Sequence, residues 1–580
     1  MNGGRSEPSV HTSPYVILNE VKNLRRPFAA AQGDIFRFAL SALLAAAFVI
    51  ATSVPAFAGA LTTNSTQPGQ LVDKFEPPGV CSRCHSDPIR DWSGSMMGND
   101  FRDPSFLSML SIAEQDAPGV GDYCLRCHGA GWFEGKSEPP RGDFLGKAFQ
   151  PPPAIDQESI PLCDFCHRIE RVGMVASRYD GRPVAEGNGS VYLRPDDPWK
   201  GGPHPLTPLH KQGEFCGSCH DVSNPGLQSS NDPSQVQPLE RTYSEWKFSD
   251  FGENGITCQN CHPPMKFPGA QTWLLYPGMA EIFPSVDAGW TAAGYPLPED
   301  RAYAWKISGE RNEQFMRRAA DVEILGPTEF KSARTASLKV RVTNNTGHKL
   351  PTGFAEGRHM WLHIRVTDAR GRLVFEDGKL DAEGGLVKSA QTKVYEQKGA
   401  EGGRKSFHFA KLDNILKDNR IPPRGFNKKA YDAQGAYIIG ADYKDGQSWD
   451  ITRYSLPVPA DARAPFTVTA TLDYETYSKE FIDWLLAEDK TAGANVAGPA
   501  LATPDGSRTW AETTAKLWRR HAKGRPVLMA SESVVIPLAD EGSLVGLLPV
   551  AAAIILALAS AVIGLRGRAR HGPRTESREP

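Results

Sequence analysis

The sequence predicts three successive regions of different build. A long first part of short helices and loops precedes a mainly-β, sandwich-like second part, and a C-terminal transmembrane helix closes the chain. Three observations carry this. All ten cysteines of the 580 residues fall between Cys81 and Cys261, period-two patterning takes over only after about residue 325, and an uncharged apolar run covers 544–565.

The cysteines define the first part. They form five stretches, "CSRCH" (Cys81, Cys84, His85), "CLRCH" (Cys124, Cys127, His128), "CDFCH" (Cys163, Cys166, His167), "CGSCH" (Cys216, Cys219, His220) and "CQNCH" (Cys258, Cys261, His262), and no cysteine is left over. A lone Cys-x-x-Cys would suit a redox dithiol or half a zinc site. Structural zinc does not require His after every second Cys, and a thioredoxin-like pair needs a βαβ context that is missing here. Cys-x-x-Cys-His reads as a c-type haem attachment: two thiols bond to the two vinyl groups of one porphyrin, and the adjacent His becomes the proximal ligand of the iron. The first cysteines are spaced by 43, 39, 53 and 42 residues, so five covalently bound haem c groups are expected. The first part then reads as a multihaem cytochrome c domain. Its Pro-rich joints, "EPPRG" and "QPPPAI", and its few short helical pieces, 103–116 and 242–254, agree with porphyrin plates replacing side-chain packing.

Each iron also needs a sixth ligand. The first part holds only two further histidines, His204 and His210, in the loop "GGPHPLTPLH". Met96 and Met97, in "WSGSMMGND" after the first motif, offer thioethers, which are soft axial ligands that raise the potential relative to two histidines. Packing on a porphyrin face is the ordinary alternative for both.

The second part alternates over 335–345, 360–368 and 466–476, with another extended run at 525–538. Such patterning marks strands with one buried face, and several of them between Gly/Asp/Pro turns suggest a sandwich. Short helices at 479–487 and 511–521 are expected to interrupt it. The loop "NNTGHKLPTGF" (344–354) presents His348 between two strongly patterned strands. Loops on a rigid scaffold carry function, so His348 is a candidate distal ligand reaching across to the haem half. His363, on one strand face with His359, is a further candidate, with a plain sheet-surface histidine as the alternative.

The two ends set the expected compartment. Residues 36–60, "FRFALSALLAAAFVIATSVPAFAGA", have a basic start, an apolar run and a small-x-small end, so a secretory signal cut after Ala58 is expected. Met1–Asp34 is too long and too mixed for an ordinary n-region, which points to a start further downstream. An uncleaved anchor is the alternative. The run 544–565 is long enough to cross a hydrocarbon core of ~30 Å, and the arginines of "RGRARHGPR" after it predict a cytoplasmic tail. A buried helix is the alternative. The expected organisation is a signal region (1–58), a linker (59–75), a pentahaem cytochrome c domain (76–324), a sandwich-like domain (325–540), a transmembrane helix (541–566) and a cytoplasmic tail (567–580). The expected location is the bacterial inner membrane, single-pass, with a periplasmic ectodomain.

The five motifs, together with "WSGSMM", "RDPSFLSML", "IAEQD", "GDYCLRCHGAGWFEG", "ERTYSEW", "GITCQNCH" and "NNTGHKLPTGF", resemble bacterial multihaem c-type cytochromes. The haem half is similar to the four-haem class that accepts electrons from hydroxylamine oxidation. The resemblance covers about 76–365 and implies closely stacked haems, mostly with two histidine ligands, passing electrons along a chain. The chain departs from that class in its fifth motif, its β-rich half and its C-terminal apolar run. It also carries Met96 and Met97 where the class often has histidine after a Trp-x-x-Ser turn.

The functional expectation is a membrane-anchored periplasmic electron carrier between redox partner proteins in the periplasm or membrane. The alternative is an oxidoreductase acting on a small nitrogen or sulfur compound at an open haem iron, which would need groups that move protons beside it. A polymer-binding module with incidental haems fits five motifs poorly. There is no phosphate-binding loop, dinucleotide fingerprint or nucleophile elbow, so no nucleotide is expected. A formal charge of -2 gives no sign of nucleic acid.

Overall fold

The computed structural model describes Phe75, 78–117, 120–129, 163–172, 191–193, 207–232, 234, 236–262, 279–292, 301–331, 334–490, 505–521, 523 and 525–539. All of these lie in one compact unit that begins at Ala58; the unit Met1–Phe57 lies outside them. The signal region, His204, the run 541–566 and the tail 567–580 are likewise outside the described residues.

The first part is helical and its helices are short. In chain order they are α1 (Pro78–Cys81), α2 (Ser86–Ser93), α3 (Pro104–Asp116), α4 (Gly121–His128), α5 (Cys163–Arg168), α6 (Gly213–Gly217), α7 (Thr242–Lys247), α8 (Asp250–Glu253), α9 (Cys258–Cys261), α10 (Met279–Ala292) and α11 (Arg301–Met316). Two small antiparallel ribbons accompany them, β1 (Ile169–Val172) with β2 (Val191–Leu193) and β3 (Val222–Gln228) with β4 (Val236–Glu240). Helix α3 starts where expected: Asp103 caps it by accepting from the Ser105 amide at 2.9 Å, and Pro104 occupies its first turn. The helical piece expected at 242–254 is instead two helices. Ser249 breaks it by donating to the Trp246 carbonyl at 2.7 Å and accepting from the Phe251 and Gly252 amides, which caps α8.

The second part is β-rich. One sheet runs β10 (Arg404–Ser406), β9 (Val394–Glu401), β7 (His359–Thr367), β13 (Phe466–Glu475), β14 (Val527–Ile536), with β8 (Leu373–Asp377) on β7 and β11 (Asn414–Asp418) on β9. A second sheet runs β12 (Trp449–Pro457), β6 (Thr335–Asn344), β5 (Ala320–Ile324). The alternation read in the sequence becomes the inner faces: Leu338, Val340 and Val342 of β6 share one core with Leu362, Ile364 and Val366 of β7 and Val468, Ala470 and Leu472 of β13. Helix α12 (Lys428–Ala433) adds the buried Tyr431 to it.

The two late helices do not interrupt this core. Helices α13 (Lys479–Glu488) and α14 (Trp510–Arg520) belong to the core of the first part, where Phe481, Leu485, Trp510, Ala515 and Trp518 pack with Leu107 and Leu110 of α3. Trp510, Ala511, Thr514, Ala515 and Trp518 form a one-sided stripe at helical spacing. The inner faces of the two sheets already pack on each other, and α3 supplies the matching surface. Ser108 and Thr514 hydroxyls meet at 2.8 Å across that contact.

The expectation of a transmembrane helix at 541–566 is corrected. Among the described residues no helix is long and apolar enough to cross a membrane. A span needs ~20 apolar residues, and the longest described helix, α11, has 16 residues and carries Lys306, Glu310, Arg311 and Glu313. The membrane-anchored reading, the single-pass inner-membrane location and the membrane as a partner fall with it.

Candidate haem-attachment site

Each motif is built on one helical turn. The His85, His220 and His262 amides donate to the carbonyls of Cys81, Cys216 and Cys258 at 2.9, 2.9 and 2.7 Å, and the second and third motifs lie within α4 and α5. Residues i, i+3 and i+4 of a turn share one face. Both thiols and the imidazole of each motif therefore point to one side, as attachment of a single flat ring requires.

The motifs also gather in space. The thiols of Cys81 and Cys163, of Cys127 and Cys219, and of Cys216 and Cys258 lie close enough to shift one another's acidity. Motif one thus meets three, and motif four meets both two and five. None of the cysteines forms a disulfide. The environments of the thiols differ. Burial pushes Cys166 up to about 12, whereas the neighbouring Cys127 thiol and the charge of His220 bring Cys219 down to about 7 against the opposing effect of burial. Glycine is needed inside the fourth motif, because a Cβ on Gly217 would stand 2.6 Å from the Tyr243 ring.

Two of the motif histidines face a second imidazole. The ring centres of His262 and His348 are 6.2 Å apart with planes at 29°, and those of His167 and His210 are 6.0 Å apart at 48°. Two metal–imidazole bonds of about 2 Å each, plus roughly 1.1 Å from each ring nitrogen to its ring centre, require about 6.2 Å. Both ring separations match that length.

The pairs differ in their hydrogen bonds. His348 donates from Nδ1 to the Lys349 carbonyl at 3.0 Å, which leaves the lone pair on Nε2, the tautomer a metal-binding imidazole needs. His210 accepts the Thr207 amide on Nδ1 at 3.1 Å, and its Nε2 donates to the Cys166 carbonyl at 3.1 Å. Binding a metal through Nε2 would require His210 to give up that bond.

The His348 loop is fixed from below. Asn344 donates from Nδ2 to the His348 carbonyl at 2.8 Å and accepts from the Thr346 amide at 2.8 Å. Gly347 sits close against α7 and α8: a Cβ there would lie 3.2 Å from Trp246 and 3.3 Å from Phe251. The ring of Phe315 lies 5.2 Å from that of His262. Burial first, then the neighbouring His348 and His220, hold His262 down to about 3, so its ring is neutral.

Two further motif histidines are held by carboxylates that sequence reading did not find. His220 Nδ1 is 3.3 Å from Glu240 Oε1, and His128 Nδ1 is 3.2 Å from Asp100 Oδ2. The His220 contact is a hydrogen bond, and a carboxylate bonded to Nδ1 orients the ring and makes Nε2 a better ligand. The Phe106 ring stacks on His128 at 4.2 Å. Burial opposes a charge on His220, but Glu240 outweighs it and raises the group to about 9. Single acids 20 or 28 residues from a motif carry no sequence signal.

The remaining candidates have other surroundings. Met96 is buried among Trp92, Phe101 and their neighbours, and Met97 packs at the edge of that core. His363 lies on β7 with Nε2 3.3 Å from Glu376 Oε1 and Nδ1 4.0 Å from Asp473 Oδ2, so both ring nitrogens face carboxylates. Among the described residues no cluster of three or more His, Cys, Asp and Glu is arranged to hold a bare metal ion.

No family model and no curated protein matches the chain. Among solved structures, the penta-heme cytochrome c552 from Thermochromatium tepidum aligns with 80% of this chain and 100% of its own length, at 16% identity and a TM-score of 0.45. The likeness is distant by both measures.

Proposed function

We propose that this chain is a pentahaem c-type cytochrome that carries electrons between redox partner proteins. The ten motif cysteines hold five haem c groups, and His85, His128, His167, His220 and His262 are the proximal ligands. His348 is the distal ligand opposite His262, and His210 the one opposite His167. Bound haem supplies a one-electron ferric/ferrous couple; the protein's part is to fix the rings, exclude water and keep the groups close. The observation that carries the reading is the paired imidazoles of His262 and His348, 6.2 Å apart. The gathering of the motifs supports a chain of neighbouring haems over isolated ones.

The test is mass spectrometry of the matured protein followed by low-temperature EPR during a redox titration. Five covalent haems, each adding ~600 Da, and a predominantly low-spin spectrum are expected. Three or four haems in fully matured protein would contradict the count. A stoichiometric high-spin haem that binds carbon monoxide in the unaltered protein would favour the oxidoreductase reading.

A further inference from the structure

Behind the His348 loop lies a network of buried charges. Lys349 Nζ is 2.7 Å from Asp418 Oδ2 and 3.6 Å from Glu245 Oε1, and Arg420 Nη2 is 2.6 Å from Asp418 Oδ2 and 3.1 Å from Glu245 Oε1. All four side chains are 4% exposed or less. Two cations balance two carboxylates. The network continues: Arg420 donates to Gln397 Oε1 at 2.8 Å, and Gln397 donates from Nε2 to Glu356 Oε1 at 2.7 Å.

Glu356 is a third carboxyl in this neutral cluster. It is buried, and its Oε2 has no hydrogen-bond partner. An ionised carboxylate there would leave the buried cluster with one uncompensated negative charge, which is costly in a low-dielectric interior. The charges acting on Glu356 are Arg420, which favours its ionised form, and Asp418, which disfavours it. Burial is the largest influence and raises the group to about 7, where a small added potential changes its proton occupancy. Glu356 shares one loop with His348, and hydrogen bonds connect the two ends: Glu356, Gln397, Arg420, Glu245, then the Lys349 amide, which donates to Glu245 Oε2 at 3.0 Å. A water-sized cavity borders the same groups, lined by Gln397, Asp418, Arg420 and Arg241.

We propose that Glu356 takes up one proton when the haem bound by His348 receives one electron. The inference rests on the His348 ligation proposed above. The electron comes from an external one-electron donor, the proton from solvent, and the Glu356 carboxylate becomes a carboxylic acid. The added electron and the added proton cancel in charge, so the net charge summed over the haem and the buried network is unchanged. No bond to the iron changes.

The test is a potentiometric titration of the complete haem-loaded protein between about pH 6 and 10, for the native chain and for Glu356→Gln. Dithionite is the reductant. In the native chain one haem potential should fall with rising pH, from about pH 7 upward, by at most ~59 mV for each tenfold change in proton activity. Glu356→Gln keeps the shape and the acceptor for Gln397 and should remove that slope. Redox-difference infrared spectroscopy of the native protein should gain a protonated-carboxyl band on reduction, a readout that needs no variant. An unchanged slope in Glu356→Gln, or no such band in the native protein, overturns the proposal. The two readings separate through His348→Ala. If its spin state is unchanged while Glu356→Gln still loses the slope, the ligand assignment falls and the proton site stands. If His348→Ala turns high-spin while the Glu356→Gln slope persists, the reverse holds.

Discussion

Lys349 is the residue through which His348 is held: its carbonyl accepts from His348 Nδ1 at 3.0 Å, while its own ammonium meets Asp418 at 2.7 Å in complete burial. The imidazole ring is therefore oriented by a residue that the charge network fixes in place.

Removing the ring should leave attachment intact. His348→Ala should retain five covalent haems, because thioether bonds do not depend on a distal ligand. One iron should become high-spin and bind carbon monoxide when ferrous, with a shifted potential. An unchanged EPR spectrum with no new carbon monoxide adduct would rule His348 out.

Lys349→Met should act on both the network and the ligand. Breaking a buried pair by removing one partner costs about 3–5 kcal/mol, measured by denaturant unfolding. In protein that still folds, the haem opposite His348 should show a broadened or partly high-spin signal. Full stability in Lys349→Met would mean that Arg420 alone compensates Asp418 and Glu245.

Gly217→Ala should disturb the fourth motif, whereas Gly79→Ala should not. A Cβ on Gly217 meets the Tyr243 ring at 2.6 Å, and one on Gly79 meets nothing within 4 Å. Overpacking of this kind costs about 1–3 kcal/mol. Thermal unfolding of the two variants side by side decides it; equal midpoints would contradict the close approach.

The acid limb of stability should owe part of its slope to Glu396. Burial opposes its ionisation, but Lys398 and Lys417 outweigh burial and bring the group from 4.5 to about 2. A depressed folded value means stability present at neutral pH and lost as pH falls from about 5 towards 2. Lys398 and Lys417 are 21% and 31% exposed, so solvent screening reduces the effect to about 1–2 kcal/mol. Glu396→Gln should be less stable at pH 7 and flatter in acid, read by urea titration across that range. An identical acid slope would remove Glu396 from the account.

What could be read from sequence is what chemistry keeps contiguous. Two thiols and an imidazole must lie on one turn, so the five motifs stand out, and period-two patterning makes β6, β7 and β13 visible, with β14 as a further extended run. His348 stood out because it tips a loop between two such strands. Its partner did not, since nothing local couples residue 348 to residue 262. Glu245 and Arg420 are 175 residues apart, and either alone looks like an ordinary surface charge. The place of α13 and α14 was also hidden: a helical stripe says that a partner exists and not which one. The apolar run at 544–565 is a purely compositional signal, and no described helix supplies the span that was expected of it.

The packing of α13 and α14 on α3 has a consequence for the order of events during biogenesis. Leu107 and Leu110 cannot be fully covered until residues 479–520 have been synthesised and delivered. All five motifs end by His262, so each is complete while the surface awaiting the late helices is still uncovered. Arrival of the last two helices then acts as a closing latch on the core that α3 begins.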